Sequence, residues 1–237
     1  MRSIVRIVIV GLGLLATGAA QSRAQDPVGH YPGEAMLRAS AGAFEPDGES
    51  EYWDEKEIDF FADANEFEDF TLSVDFLYFV SARTGVLFSV GGWEGEQTQS
   101  YRDFVDAQGG EISHLTRHDQ AWLDLGVVFH LLSRRAALMP YVGAGGSLVS
   151  WELEEDGEFI DFAPQSSVIF RDTFLASGEA FGYFFLLGVE IPVGRSVGLF
   201  AEARWRRADD ELDEDFAGLG ALDLSGRSIS AGVSVSF

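Results

Sequence analysis

The last ten residues, SISAGVSVSF, alternate without a break: Ile229, Ala231, Val233, Val235 and Phe237 are apolar, and every residue between them is Ser or Gly. Period-two alternation sends successive side chains to opposite faces of a strand, so this segment has one greasy face and one small polar face. The same rhythm recurs along the chain, and past residue 24 no sustained helical apolar stripe interrupts it. It predicts eight strands, at about 35–44, 70–80, 86–93, 121–132, 138–151, 180–191, 197–206 and 226–237. Tilted strands of this length are long enough to cross a bilayer.

The connections carry a second pattern. In chain order they run long, short, long, short, long, short, long: 45–69, 81–85, 94–120, 133–137, 152–179, 192–196 and 207–225. An up-and-down meander gathers all the long loops at one end and the short turns with both termini at the other. Charge sorts the same way. The four long loops hold 33 of the 39 acidic residues, whereas the three short turns hold Arg83, Arg134, Arg135 and Arg195 and no acid.

The amino terminus, MRSIVRIVIVGLGLLATGAA, reads as an export signal: Arg2 and Arg6, a short apolar run, then small residues suited to cleavage after Ala20 or Ala24. Its apolar stretch is shorter than the ~20 residues of a spanning helix. Residues 1–24 are therefore expected to be removed, with 25–33 a short leading segment and 34–237 the folded domain. Loss of Arg2, Arg6 and Arg23 and of no acid leaves 13 basic against 39 acidic residues, a net charge of −26. Such a charge argues against nucleic acid as a partner. With no Cys, disulfides and thiolate chemistry are excluded.

Which face of the alternation meets lipid follows from charge. One set of alternate residues is almost purely apolar: Phe70, Leu72, Val74, Phe76 and Tyr78; Leu123, Leu125, Val127 and Phe129; Phe181, Tyr183, Phe185, Leu187, Val189 and Ile191; Val197, Leu199, Ala201, Ala203 and Trp205. The other set contains Arg38, Asp75, Asp124, Glu190, Glu202, Arg204 and Arg206. An Arg facing the bilayer midplane costs about 2–4 kcal/mol, so the cleaner set faces outward and the charged set forms a paired network in the lumen. Tyr78, Phe129 and Phe237 at the short-turn end, with Phe70, Tyr183 and Trp205 at the long-loop end, are placed for interfacial girdles. The fold expected is a closed eight-stranded antiparallel up-and-down transmembrane β-barrel. A soluble barrel of lipocalin type, with the cleaner face inward, is its rival.

The segments PYVGAGGSLVSW and GLFAEARWR, and above all the closing SISAGVSVSF, resemble the small outer-membrane β-barrels of the outer membrane protein A, X and W type. The resemblance covers residues 34–237 and implies residence in the bacterial outer membrane, with lipid and lipopolysaccharide as neighbours. It also implies that the terminal strand ending in Phe237 is read by the barrel assembly machinery. No peptidoglycan-binding module is expected after Phe237.

Three functions are weighed. The first is a structural or surface-interaction barrel with acidic extracellular loops and a largely plugged lumen, in which the loop aromatics Trp53, Phe60, Phe61, Phe67 and Tyr101 could touch partners, although a loop aromatic more often packs locally. Asp54, Glu55, Glu57 and Asp59 are weak candidates for loosely held divalent cations, since hard cations prefer oxygen; the spacing matches no EF-hand, and no cofactor is implied. The second is a narrow passage for small or hydrophobic molecules, as the W branch implies, with Leu77, Phe79, Val128, Tyr141, Phe184, Leu186 and Phe200 forming an apolar lower lumen. Opposite charges in rough balance favour the plug, because an ion channel favours one sign along its bore. The third is an enzyme. HLTRHDQ brings His114, His118 and Asp119 together in sequence, but no Ser in a hydrolase pattern accompanies them, and the segment falls in a predicted loop. His30 has no such neighbour, and His130 alternates inward as a lumen residue. The chain is read as non-enzymatic.

Overall fold

A computed structural model describes residues 32–47, 50–61, 67, 69–132, 136–162 and 168–237, apart from the side chains of Glu51, Asp54, Glu55 and Glu57. The export segment, His30, Arg134 and Arg135 lie outside these residues. Eight strands form the wall: β1 (Ala35–Pro46), β3 (Asp69–Phe79), β4 (Thr84–Val105), β5 (Glu111–His130), β6 (Met139–Asp161), β7 (Val168–Pro192), β8 (Val197–Arg207) and β11 (Gly226–Ser236). Between them lie α1 (Glu51–Asp59), the short strands β2 (Phe60–Phe61), β9 (Asp209–Glu211) and β10 (Ala221–Asp223), and a 3-10 turn at Glu214–Phe216.

Each wall strand pairs antiparallel with its chain neighbours, and β1 pairs with β11 from Met36↔Ser236 to Pro46↔Gly226. The ring is thereby closed, with no wall strand left at an edge in the membrane zone. Phe237 continues the seam: its N–H donates to the Ala35 carbonyl and its carbonyl accepts from the Ala35 N–H.

All eight expected strands are present, but two expected loops are largely strand. β1, β3, β8 and β11 have 11 or 12 residues, whereas β4, β5, β6 and β7 have 20 to 25. The excess covers most of 94–120 and 152–179, which project beyond the barrel as a four-stranded sheet. Alternation persists there, but polar residues occupy both faces. Along β4 and β5 the outward positions carry charge (Glu94, Glu96, Arg117, Asp119) and the inward ones are neutral and buried (Gln97, Gln99, Thr116, Gln120). Loop 45–69 likewise contains a helix, α1, which no apolar stripe announced.

The outer wall is the apolar face. Phe70, Leu72, Leu125, Val127, Phe185, Leu187 and Val233 are all exposed, as are the six girdle aromatics. This belt stops at an outward collar of charge on seven of the eight wall strands: Glu45, Glu94, Asp119, Glu152, Glu179, Arg207 and Arg227.

Inside, aromatic rings lie over glycines of neighbouring strands. A Cβ on Gly126 would come within 2.5 Å of the Ala144 carbonyl oxygen and 2.8 Å of the Phe184 ring, and one on Gly91 within 2.6 Å of the Trp122 indole. These glycines supply the room that large inward rings need in a narrow barrel. Gly146, on the outer face, meets only the Gly182 carbonyl, at 3.9 Å. Gly126→Val is therefore expected to abolish the compact, heat-modifiable form after detergent refolding, while Gly146→Ala leaves its yield unchanged. Gel mobility before and after boiling checks both.

Candidate functional site: the lumen and its cap

Six of the seven predicted lumen charges form one network. From β1, Arg38 donates through Nη2 to Asp75 on β3 at 2.6 Å and to Glu202 on β8 at 3.1 Å. Arg204 grips Glu202 Oε1 with Nε at 3.0 Å and Nη2 at 2.7 Å, and reaches Asp124 on β5 at 2.8 Å and Ser89 on β4 at 3.0 Å. β8 and β4 are opposite members of the ring, so this one side chain crosses the lumen. Arg206 donates to both oxygens of Asp124 at 3.2 and 2.9 Å, while Ser147 adds its hydroxyl to Asp124 at 2.5 Å. Three guanidiniums thus meet three carboxylates in a neutral, almost fully buried cluster.

Ring faces complete its surroundings. The Arg206 guanidinium lies 4.1 Å from the Trp122 ring centre and that of Arg38 4.6 Å from Phe200, while the Tyr141 hydroxyl donates to Glu202 at 3.0 Å. Glu190, the seventh predicted member, is not in this cluster. It accepts from Ser234 at 2.7 Å and faces His130 Nε2 at 3.9 Å, near the short-turn end.

Below the charges, Met36, Leu77, Phe79, Leu87, Val128, Tyr141, Phe184 and Leu186 form a continuous buried cluster. The predicted apolar lower lumen is therefore a packed layer of side chains, with Phe200 also buried. A polar void of about 10 Å³ lined by Ser40, Thr71, Ser73, Glu202 and Arg204 lies beside the charges, about enough for one water.

Above the charges the loop aromatics mostly pack locally. Trp53, Phe60, Phe67 and Tyr101 are buried, and only Phe61 is exposed. Trp53, Phe67 and Tyr52 join Phe44, Trp93, Trp122 and Trp151 in one core that roofs the lumen. Rings of this size gain more by covering one another than by facing water.

α1 is fastened to the projecting sheet at a single carboxylate, which sequence reasoning did not single out. Glu155 of β6, buried, accepts from the Tyr52 hydroxyl at 2.5 Å and from Lys56 Nζ at 2.6 and 2.7 Å on its two oxygens. Asp54, Glu55 and Glu57 lie on this helix with undescribed side chains, and Asp59 at its end is exposed. Among the described residues, no group of three or more His, Asp or Glu side chains is arranged to hold a metal.

The HLTRHDQ segment is strand, not loop, and its alternation separates the three residues that lie together in sequence. His114 and His118 point inward and Asp119 points outward. His114 stacks on Phe159 at 4.9 Å with Glu155 3.8 Å away; His118 meets Trp93 edge-on at 5.3 Å. Burial pulls both imidazoles down to about 4, with Glu155 opposing the effect at His114. On the outer face, partial burial together with Glu94 and Glu152, its neighbours on β4 and β6, lifts Asp119 to about 6.

No protein-family model matches the sequence, and no curated protein does. Among solved structures the chain is similar to the outer membrane protein OprG from Pseudomonas aeruginosa, at 15% identity over 90% of this chain and 99% of that one, with a TM-score of 0.55. It is also similar to Neisserial surface protein A, at 13% identity over 86% and 97%, with a TM-score of 0.50. The fold is that of the small outer-membrane β-barrels.

Two predictions follow from this geometry. Asp124→Ala leaves Arg204 and Arg206 buried without their shared acceptor, and is expected to lower stability by about 3–5 kcal/mol in urea titrations of the refolded barrel. The imidazoles give a pH dependence. Their folded pKa values lie below the unfolded value, so their destabilising effect is absent above about pH 6.5 and grows as pH falls toward 4, on the order of 1–3 kcal/mol for each. Asp119, raised when folded, acts in the opposite direction and more weakly because it is part-exposed. Amide protection factors, corrected for the intrinsic exchange rate, are expected to fall in 94–120 and 152–179 on going from pH 7 to pH 5 while those of the belt hold. His118→Gln reduces that difference.

Proposed function

We propose that this protein is an integral outer-membrane barrel, exported by residues 1–24, whose lumen is closed to ions and whose acidic extracellular extension serves surface interaction. One observation carries the reading: exposed apolar residues encircle the outside while the charges of the lumen neutralise one another within it. A soluble barrel of lipocalin type would invert the first feature. An ion channel would break the second, since a conducting bore needs unpaired charge of one sign and room for water.

The extension supports the interaction role. It rises above the collar as ordered sheet, stiffened by Arg117 between Glu96 and Glu154 on its outer face and by the Glu155 anchorage of α1 within. A rigid surface binds at lower entropic cost than a mobile loop of the same composition. Among the described residues the HLTRHDQ side chains face opposite ways, which does not recommend them as a catalytic set.

Planar-bilayer recording on the detergent-refolded chain tests the proposal. The native protein is expected to be silent, and Glu202→Gln with Arg204→Gln, which dismantles the crossing link, to give small openings. Stable openings of the native barrel would overturn the plug and favour the narrow-passage alternative. A chain that stays soluble without detergent would overturn membrane residence itself.

A further inference from the structure

β7 loses its wall partner above Tyr183, because β8 ends at Arg207 while β7 runs on to Val168. The chain leaving β8 folds instead into the β9–β10 hairpin, where Asp209 stands opposite Asp223 and Glu211 opposite Ala221. Between this hairpin and β7 lies a cleft of about 840 Å³. That volume is in the range of small-molecule sites, about 300–1,000 Å³.

Its lining is mixed in a specific way. Phe181 and Tyr183 bring two exposed ring faces from the upper rim of the belt, 86% and 53% accessible. Asp209, Glu211 and Asp223 bring carboxylates, Ser50 and Ser225 hydroxyls, and Gly218 and Gly220 a wall without side chains. Asp223 is nearly buried and accepts the Ser225 N–H at 2.8 Å. Neither Asp209 nor Glu211 has a side-chain partner among the described residues, and the Ser50 hydroxyl is buried with none. The one cation of the lining, Arg207, is tied to Asp47 at 3.1 Å. Like charges set opposite one another on a hairpin are unfavourable. A ligand rich in hydroxyl donors offers these carboxylates partners.

We infer that the cleft is a saccharide-binding site for neutral sugar units. The C–H faces of a pyranose suit the two rings, its hydroxyls suit carboxylate acceptors, and the carboxylates exclude phosphorylated residues by repulsion. Depth adds to the argument. The cleft opens at the collar, so within the membrane placement proposed above, on which this inference rests, its floor lies at the sugar headgroups of an outer-leaflet glycolipid. A soluble glycan reaching the same rim presents the same chemistry.

The absence of Cys allows a unique reporter: Ala217→Cys, exposed and outside the lining, carrying an environment-sensitive dye on the full chain in phospholipid nanodiscs. The probes are delipidated, dephosphorylated core oligosaccharide from rough lipopolysaccharide, the intact glycolipid in the disc, and spermidine. Saturable response to the free oligosaccharide is expected, with half-saturation rising at least about tenfold in Tyr183→Ala and Glu211→Gln. Response to both sugar probes assigns the site to glycans of either source; response to the glycolipid alone, still lost in both variants, assigns it to the headgroup. A response to spermidine alone, a response unchanged by the variants, or silence to every probe overturns the proposal. Heat-modifiable mobility of each variant separates loss of binding from loss of fold. A chain that refuses the nanodisc would instead overturn the membrane reading.

Discussion

In hydrocarbon a backbone N–H has no water to turn to, so a sheet that crosses a bilayer must return to its own first strand. That requirement governs this molecule. The β1–β11 seam satisfies it along the full length of both strands, and Phe237 adds the last pair of hydrogen bonds. Once the ring is closed, the alternation of each strand has only two destinations, lipid or lumen, and every later feature follows from what eight inward faces can hold.

They hold charge only because it is compensated. Arg38, Arg204 and Arg206 are too costly to bury singly, and each is met by carboxylate and by a ring face. The cluster joins β1, β3, β5 and β8 across the lumen, so it fixes register as well as filling space. Glycines opposite the large rings make the same space available, and the wall and its filling specify each other.

The strands of the belt were legible because lipid enforces a clean apolar face, and the network was legible as the charged complement of that face. The extension was not, because above the collar charge replaces the apolar residues at the outward positions and neutral polar residues fill many of the inward ones. Gln97, Gln99, Thr116 and Gln120 are as buried as the belt's inward residues, yet as polar as a loop. The signal present there was charge alternating with neutral polar residues, a weaker contrast than apolar against polar. The same weak contrast hid the packing of Trp53 and Phe67. Aromatic residues in a long acidic segment look available until they are found in one core with Trp93, Trp122 and Trp151.

The sequence by itself determined the number of wall strands, their outward face, the end at which the long connections gather and the six charges that meet inside, because period and charge are local properties of a strand. Tertiary structure alone decided that Glu190 pairs downward with Ser234, that Glu155 anchors a helix to the sheet, that Asp119 turns away from His114 and His118, and that a cleft opens where β8 ends before β7. These depend on the lengths to which neighbouring strands continue and on the shear between them. Strand pairing fixes both only when distant segments meet.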